Sequence, residues 1–246
     1  MSDNPVAIVT GGSRGVGAAT AKILSENGWN VIITCSSSIE DAKLVAANCS
    51  NKVNEVFAFQ ADVANEQDCI ATIDKAIEKW KRIDALVNNA GIMPLSLLNA
   101  GRTDEWDEMI DINIKGVLYG IDAVLQHMLD RGDGVIVNIS SVAGLRVFEG
   151  SAVYSATKFA VRAISEGLRA ESSGKIQVTC IYPGAFKTEL GFSIKDTSIL
   201  ERLMKLGMAE IAQPAERVAE TIIFALQQEK GVALNEIVIR PTAQET

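Results

Sequence analysis

Apolar and polar positions along the chain follow two rhythms. Short runs rich in Val and Ile recur at Val6–Thr10, Asn30–Thr34, Glu55–Ala61, Asp84–Asn88, Gly134–Ile139, Gln177–Ile181 and Glu236–Ile239. They are continuous rather than alternating, the pattern of strands covered on both faces. Between them lie longer stretches of helical periodicity: Val16–Asn27, Glu40–Cys49, Glu66–Trp80, Glu105–Leu129, Ala156–Glu171, a helical region reaching Gly207, and Ala215–Gln228. In Glu66–Trp80 the apolar positions Cys69, Ile70, Ile73 and Ile77 share one face. Strand and helix in strict alternation predict a parallel sheet with helices on both sides, a three-layer, doubly wound α/β fold.

No Pro/Ser-rich linker, charge run or internal repeat divides the chain, so one domain over residues 1–246 is expected. With 246 residues, 48% of them apolar, the chain can bury a sizeable core. A charged fraction of 22% and only 5 prolines exclude a disordered or low-complexity protein. The formal net charge of −8 repels phosphate backbones, so no nucleic-acid partner is expected. A single histidine, His127, leaves no material for a serine–histidine triad or a multi-histidine metal site. Cys35, Cys49, Cys69 and Cys180 are scattered without a CxxC pair, which argues for ordinary thiols and against a metal or disulfide framework. The opening Met1–Pro5 is polar, and no apolar run reaches the roughly 20 residues of a membrane span. A soluble cytoplasmic protein without a membrane partner is the expectation.

The first strand and first helix are joined by Thr10-Gly11-Gly12-Ser13-Arg14-Gly15-Val16-Gly17. Glycines there let backbone N–H groups at a helix N-terminus approach a diphosphate with no Cβ in the way. A plain tight turn would use the same residues. The second strand ends Thr34-Cys35-Ser36-Ser37-Ser38, without the acid that would hold an adenosine 2′-hydroxyl and repel a 2′-phosphate. Ser36 and Ser37, with Arg14 as a nearby cation, make a 2′-phosphate pocket and point to NADP(H). The serines can also serve as caps of the next helix.

With this turn the chain resembles the short-chain dehydrogenase/reductase family, from about Pro5 to Arg240, and the resemblance implies a Rossmann-type sheet. Asp62-Val63 matches the family's adenine-contacting pair. Asn88-Asn89-Ala90-Gly91 matches its NNAG segment, and Asn113 its helix asparagine. Ser141 closes Asn138-Ile139-Ser140-Ser141, Tyr154-Ser155-Ala156-Thr157-Lys158 is YxxxK, and Pro183-Gly184-Ala185-Phe186-Lys187-Thr188 is PGxxxT. The family commonly places its serine thirteen positions before the tyrosine, which selects Ser141. Strand alternation adds that only one of Ser140 and Ser141 can face the site.

The resemblance implies a catalytic set of Asn113, Ser141, Tyr154 and Lys158. The cofactor would lie against Gly11, Ser13, Arg14, Gly15, Val16, Gly17, Asp62, Val63, Asn89, Ala90, Gly91, Pro183, Gly184, Phe186 and Thr188, with Tyr154 and Lys158 at its reactive end. Residues 1–90 would then form the dinucleotide-binding half and 91–246 the catalytic half. Tyr154 and Lys158 are four apart and share a helix face. The ammonium is expected to pull the phenol down from about 10 toward working pH, so that Tyr154 acts as acid in reduction and base in oxidation. Lys158 would hold the nicotinamide ribose, Ser141 the carbonyl oxygen, and Asn113 a water.

Met93, Ser141, Val142, Val147 and Gly184, with Phe148 and Phe186, are expected at an apolar substrate pocket, and residues 191–208 as an amphipathic lid helix. Arg146 could attract an acidic substrate or be a solvated loop residue. The reaction implied is reduction of a ketone or aldehyde by NADPH. A 3-oxoacyl-acyl-carrier-protein reductase and a non-catalytic NADP-binding sensor are the alternatives. The family also implies a homotetramer or dimer through the long helices. Gly116, Gly120, Ala160 and Ala163 would permit close helix packing there, or serve contacts within the chain.

Overall fold

The computed structural model describes residues 4–244, so residues 1–3 of the polar opening lie outside it. In chain order the first half runs β1 (Val6–Val9), α1 (Gly15–Glu26), β2 (Asn30–Cys35), α2 (Ile39–Cys49), β3 (Val56–Gln60), α3 (Glu66–Trp80) and β4 (Ala85–Asn88). The second half adds α4 (Thr103–Ile110), α5 (Gly116–Arg131), β5 (Val135–Ile139), α6 (Ala152–Glu171) and β6 (Gln177–Pro183). It closes with β7 (Phe186–Lys187), α7 (Thr197–Lys205), α8 (Met208–Ile211), β8 (Gln213–Pro214), α9 (Glu216–Leu226) and β9 (Glu236–Ile239). Seven strands form one parallel sheet in the order β3-β2-β1-β4-β5-β6-β9, and β7 and β8 make a small separate pair.

The period of two along each strand sends successive side chains to opposite layers. Ala7, Val9, Val31, Ile33, Val135 and Val137 pack with Leu24 of α1, Ala42 of α2 and Ile222 of α9. Their neighbours Val6, Ile8, Ile32, Leu86 and Ile136 pack with Ile73 of α3, Val124 of α5 and Val161 of α6 on the other face. Each fully buried aliphatic side chain contributes about 1.5–3 kcal/mol, which fixes register as well as stability. Among the described residues no helix is long and apolar enough to cross a membrane.

Three elements differ from the sequence expectation. The stretch 105–129 is two α-helices joined by a π-helical turn, Asp111–Lys115. Single π turns inside long helices are rare, and the sequence carries no Pro or Gly between Asp111 and Lys115 to mark one. Helix α6 begins a turn before Ala156, because Gly150 at φ +84° and Ser151 open it, while Val153 and Tyr154 are weak helix formers that hide the start. The lid is not one helix. A short 3₁₀ turn, Glu189–Ser193, precedes α7, which Asp196 caps by accepting from Ser198 N and Ile199 N. Gly207, at φ +63°, then separates α7 from α8. Ile194 and Ile199 point inward, whereas Met204 and Leu206 face solvent.

Candidate active site

Strand order reverses between β1 and β4, and in open α/β sheets the crevice beyond the carboxyl ends of such strands is where ligands bind. The glycine turn fills the β1 side. Gly15 sits at φ +55°, where a side chain would strain the backbone, and a Cβ on Gly17 would lie 2.2 Å from Gly11 O, so no side chain fits there. Helix α1 has no side-chain cap and no acid in its first turn, and its first backbone bond runs from Ala18 N to Arg14 O. The preceding N–H groups therefore face the crevice, which suits an anionic group such as a diphosphate.

The β4 side holds that turn in place. Thr10 Oγ1 accepts from the N–H groups of Asn89 and Ala90, each at 3.0 Å, and Asn89 Nδ2 donates to Thr10 O at 2.8 Å and Gly11 O at 3.1 Å. Gly12 N donates to Thr34 O, bringing the turn to the end of β2, where Ser36, Ser37 and Arg14 are exposed and Ser13 is half-buried. The Val16 side chain packs on the core, which leaves its backbone N–H at the start of α1. Asp62 is exposed, its carboxylate accepting from Ala64 N, and Val63 is buried against Gly116. Gly116 and Gly120 thus serve contacts within the chain, Gly120 with Asn88.

The expected catalytic residues meet on the other side of the crevice. Tyr154 in the first turn of α6 and Lys158 one turn later are both buried, and Lys158 Nζ lies 5.8 Å from the Tyr154 ring centre. Lys158 Nζ donates to Ile139 O at 3.0 Å. The Ser141 hydroxyl lowers the pKa of the Tyr154 phenol, and its Oγ accepts from Ala143 N at 3.1 Å and donates to Pro183 O at 3.5 Å. Ser140 faces away and donates to Lys158 O, as alternation requires. Asn113 sits in the π turn, fully buried. Its Oδ1 accepts from Ile92 N, and its amide donates to Ile92 O and Thr157 Oγ1. A Cβ on Gly91 would be 3.1 Å from Asn113 Oδ1 and 3.5 Å from Lys158 Nζ, so Gly91 is the spacer between them.

The electrostatics correct one expectation. Tyr154 is not pulled down by its lysine. Burial pushes its phenol up to about 12, with the Ser141 hydroxyl opposing. Burial also pushes Lys158 down to about 8. Loss of water disfavours the charged form of each group.

Segment 183–188 closes the site. Gly184 N donates to Ile239 O and Phe186 packs on the core. Thr188, whose Oγ1 accepts from Leu190 N at 3.4 Å, comes to 3.4 Å from the Cβ position of Gly15. Around Tyr154 lies an apolar cluster that includes Met93, Leu95, Ala143, Ile194 and Ile199. Val142 is half-buried beside it. Val147 is not in that cluster. It is 62% exposed and lines an open groove of about 490 Å³ with Leu98 and Phe148. Arg146 is exposed on the same loop. His127 is far from the proton chemistry, accepting from Ile83 N. Residue-by-residue reading missed Thr157, which holds Asn113, and Glu189, which lies against Gly15. Glu189 directly follows the PGxxxT segment, the one signal that could have found it.

A family model described as short chain dehydrogenase matches residues 5–198. An uncharacterized oxidoreductase of Staphylococcus saprophyticus is 40% identical over 242 residues, covering 97% of this chain and 96% of the relative. An alcohol dehydrogenase of Thermococcus sibiricus complexed with 5-hydroxy-NADP superposes with a TM-score of 0.87 at 25% identity, covering 99% of both chains. A serine dehydrogenase complexed with NADP+ gives 0.88 at 29% identity, covering 98% of this chain and 96% of that one.

Proposed function

The chain belongs to the short-chain dehydrogenase family of oxidoreductases, and from that premise we propose that it reduces a small or medium ketone or aldehyde to an alcohol with NADPH. The observation that carries this reading is the convergence of Ser141, Tyr154 and Lys158 beside an anion cradle, inside an apolar cluster. Preference for NADP(H) is supported by Ser36, Ser37 and Arg14 around the end of β2, and by the absence of an acid from Thr34 to Ser38. Two structurally similar enzymes carry NADP forms. Residues 1–90 would hold the cofactor and 91–246 the substrate.

When bound, the nicotinamide cofactor supplies the hydride. Tyr154, held up at about 12, is fully protonated at neutral pH, so it enters reduction with its proton in place and delivers it to the carbonyl oxygen. Ser141 holds the same oxygen, steadying the charge that develops there. Lys158, at about 8, keeps most of its charge at pH 7 and offsets the phenolate left on Tyr154 until solvent reprotonates it. Asn113 has both amide protons engaged, which leaves one Oδ1 lone pair for a water.

The apolar lining favours an uncharged substrate. Exposed Arg146 supports a second reading, a 3-oxoacyl thioester on an acidic carrier protein. A panel of ketones, hydroxy acids and an acetoacetyl thioester followed at about 340 nm, the NADPH absorbance, separates the two. Filled catalytic positions weigh against a sensor that only binds NADP. Replacing Tyr154 by Phe should leave NADPH affinity nearly intact and lower turnover by about 10²–10⁴. Undiminished turnover would refute the mechanism, and faster reduction with NADH than with NADPH would refute the cofactor preference.

For assembly we infer a homotetramer or dimer. α5 and α6 present Leu118 and Phe159 outward, and the edge strand β9 presents Val238. A monomeric mass in light scattering would overturn this. Four unpaired cysteines, their thiols all pushed up by burial, support placement in the reducing cytoplasm.

A further inference from the structure

We propose that Glu189 is a release residue for the cofactor: its carboxylate, held against the glycine turn, weakens the turn's grip on the diphosphate and speeds departure. The 3₁₀ turn that follows β7 lays Glu189 over the start of α1. Its Oε2 lies 3.5 Å from the Cβ position of Gly15, beside Thr188 at 3.4 Å. That oxygen is buried and accepts no hydrogen bond. Thr34 Oγ1 and Asn88 Oδ1, at the ends of β2 and β4, are also unpartnered, but both are uncharged, and the other buried groups of the crevice are satisfied: Thr10 and Asn89 by each other's segments, Ser140 by Lys158 O, Asn113 by Ile92 and Thr157. A buried carboxylate oxygen left without a donor costs stability, so its placement is not explained by the fold.

The turn explains it electrostatically. The first turn of α1 carries no acid of its own, and its N–H groups form a positive pole that attracts any anion. Glu189 brings one negative charge to that pole from another element. A diphosphate held at the cradle would meet the same attraction and also the like charge of Glu189 on the same turn. Arg14, at the same turn but exposed, pulls the other way. The pair sets affinity by opposition: Arg14 draws the cofactor in, and Glu189 keeps it exchangeable.

The inference rests on the NADP(H) reading above, and direct binding separates the two. Isothermal titration would compare wild type with Glu189→Gln, and with Glu189→Ala in case the first variant folds poorly, using NADP+, NADPH and adenosine 2′-monophosphate. Loss of the charge should lower Kd for both dinucleotides by about five- to tenfold and slow stopped-flow release in proportion. Affinity for adenosine 2′-monophosphate, which has no diphosphate, should not change. The gap should narrow in about 0.5 M salt as screening shortens. Equal or weaker dinucleotide binding in the variants, or an equal gain for adenosine 2′-monophosphate, overturns the role of Glu189. Failure of the wild type to bind NADPH at all overturns the cofactor reading together with it.

Discussion

Ser140 Oγ donates to the main-chain carbonyl of Lys158 at 2.9 Å. The next residue, Ser141, turns its hydroxyl toward the Tyr154 phenol, whose pKa it lowers. Two adjacent hydroxyls at the end of β5 therefore grip the two ends of one catalytic turn, one through the backbone and one at the reacting phenol. Their truncations should separate. Ser141→Ala should lower kcat/KM by at least about tenfold, an effect of 1.4 kcal/mol or more on the transition state, with little change in Tm. Ser140→Ala leaves a buried carbonyl short of a donor and should cost about 1–3 kcal/mol in urea unfolding. If Ser140→Ala abolishes turnover at unchanged stability, the assignment of the two serines is reversed.

Lys158 gives the pH dependence. Its pKa is lowered to about 8 by burial, so the ammonium persists below pH 8 and is lost above it, while Tyr154 at about 12 stays protonated throughout. Reductive kcat/KM should be level from about pH 6 to 7.5 and fall roughly tenfold per unit above 8. A profile that stays level to about pH 9.5 would be incompatible with this. The same burial costs stability: a lysine whose folded pKa lies below its unfolded value destabilises the fold at low pH, and the cost fades as pH rises from 8 toward 10.5. Lys158→Met should therefore be inactive yet raise Tm at pH 7, by about 2–4 °C for each kcal/mol of charge burial removed. The gain should shrink above pH 8.

How far the sequence carried this picture depends on the kind of signal. Strand runs such as Val135–Ile139 are legible because continuous apolar residues have one explanation in a sheet covered on both faces. The residues now grouped around Tyr154 were legible through the motifs by which the chain resembles its family, Asn113, Ser141 and the Tyr154-to-Lys158 segment, with helix spacing adding only that Tyr154 and Lys158 share a face. The π turn at Asp111–Lys115 was not, since no helix-breaking residue stands between Asp111 and Lys115 to mark it. Nor was Glu189, whose meaning comes from Gly15, remote in sequence and brought near only by the crossover from β6. Val147 looked like pocket lining by composition, but loop direction, which periodicity does not encode, turned it outward.

The glycine turn makes a steric prediction. At Gly17 a methyl group would meet the carbonyl of Gly11 at 2.2 Å and Asn89 Nδ2 at 2.7 Å, and the first of these is backbone that cannot step aside. Gly17→Ala should force the turn apart, destabilise by about 1–3 kcal/mol and weaken NADPH binding at least tenfold. Gly28, at φ +82° with nothing near its Cβ position, serves as the control. Gly28→Ala should cost stability through backbone strain alone and leave NADPH affinity unchanged. Parallel titrations and melts of the two variants decide the matter, and equal NADPH affinity in both would remove the turn from the cofactor site.

Asp84 ties the far edge of the fold together. Its carboxylate accepts from Val6 N at 2.8 Å, from Arg82 at 2.8 and 2.7 Å, and from Arg131 at 2.8 Å, joining β1, the start of β4 and the end of α5. Burial pushes its pKa up, but the hydrogen bonds from Arg82, Arg131 and Val6 N outweigh it and hold the group below the ordinary carboxylate value. A carboxylate with a lowered folded pKa stabilises the protein above its unfolded pKa, about 3.9, and that contribution is lost as pH falls through the folded value. Asp84→Asn should therefore lower the unfolding free energy at pH 7 by about 1–3 kcal/mol, toward the lower end because Arg82 is partly solvated. The deficit should hold down to about pH 5, shrink below pH 4, and approach zero once the wild-type carboxylate is protonated in the folded state. Urea midpoints of the two proteins from about pH 3 to 7 would measure it, and a deficit independent of pH would mean that shape rather than charge holds the three elements together.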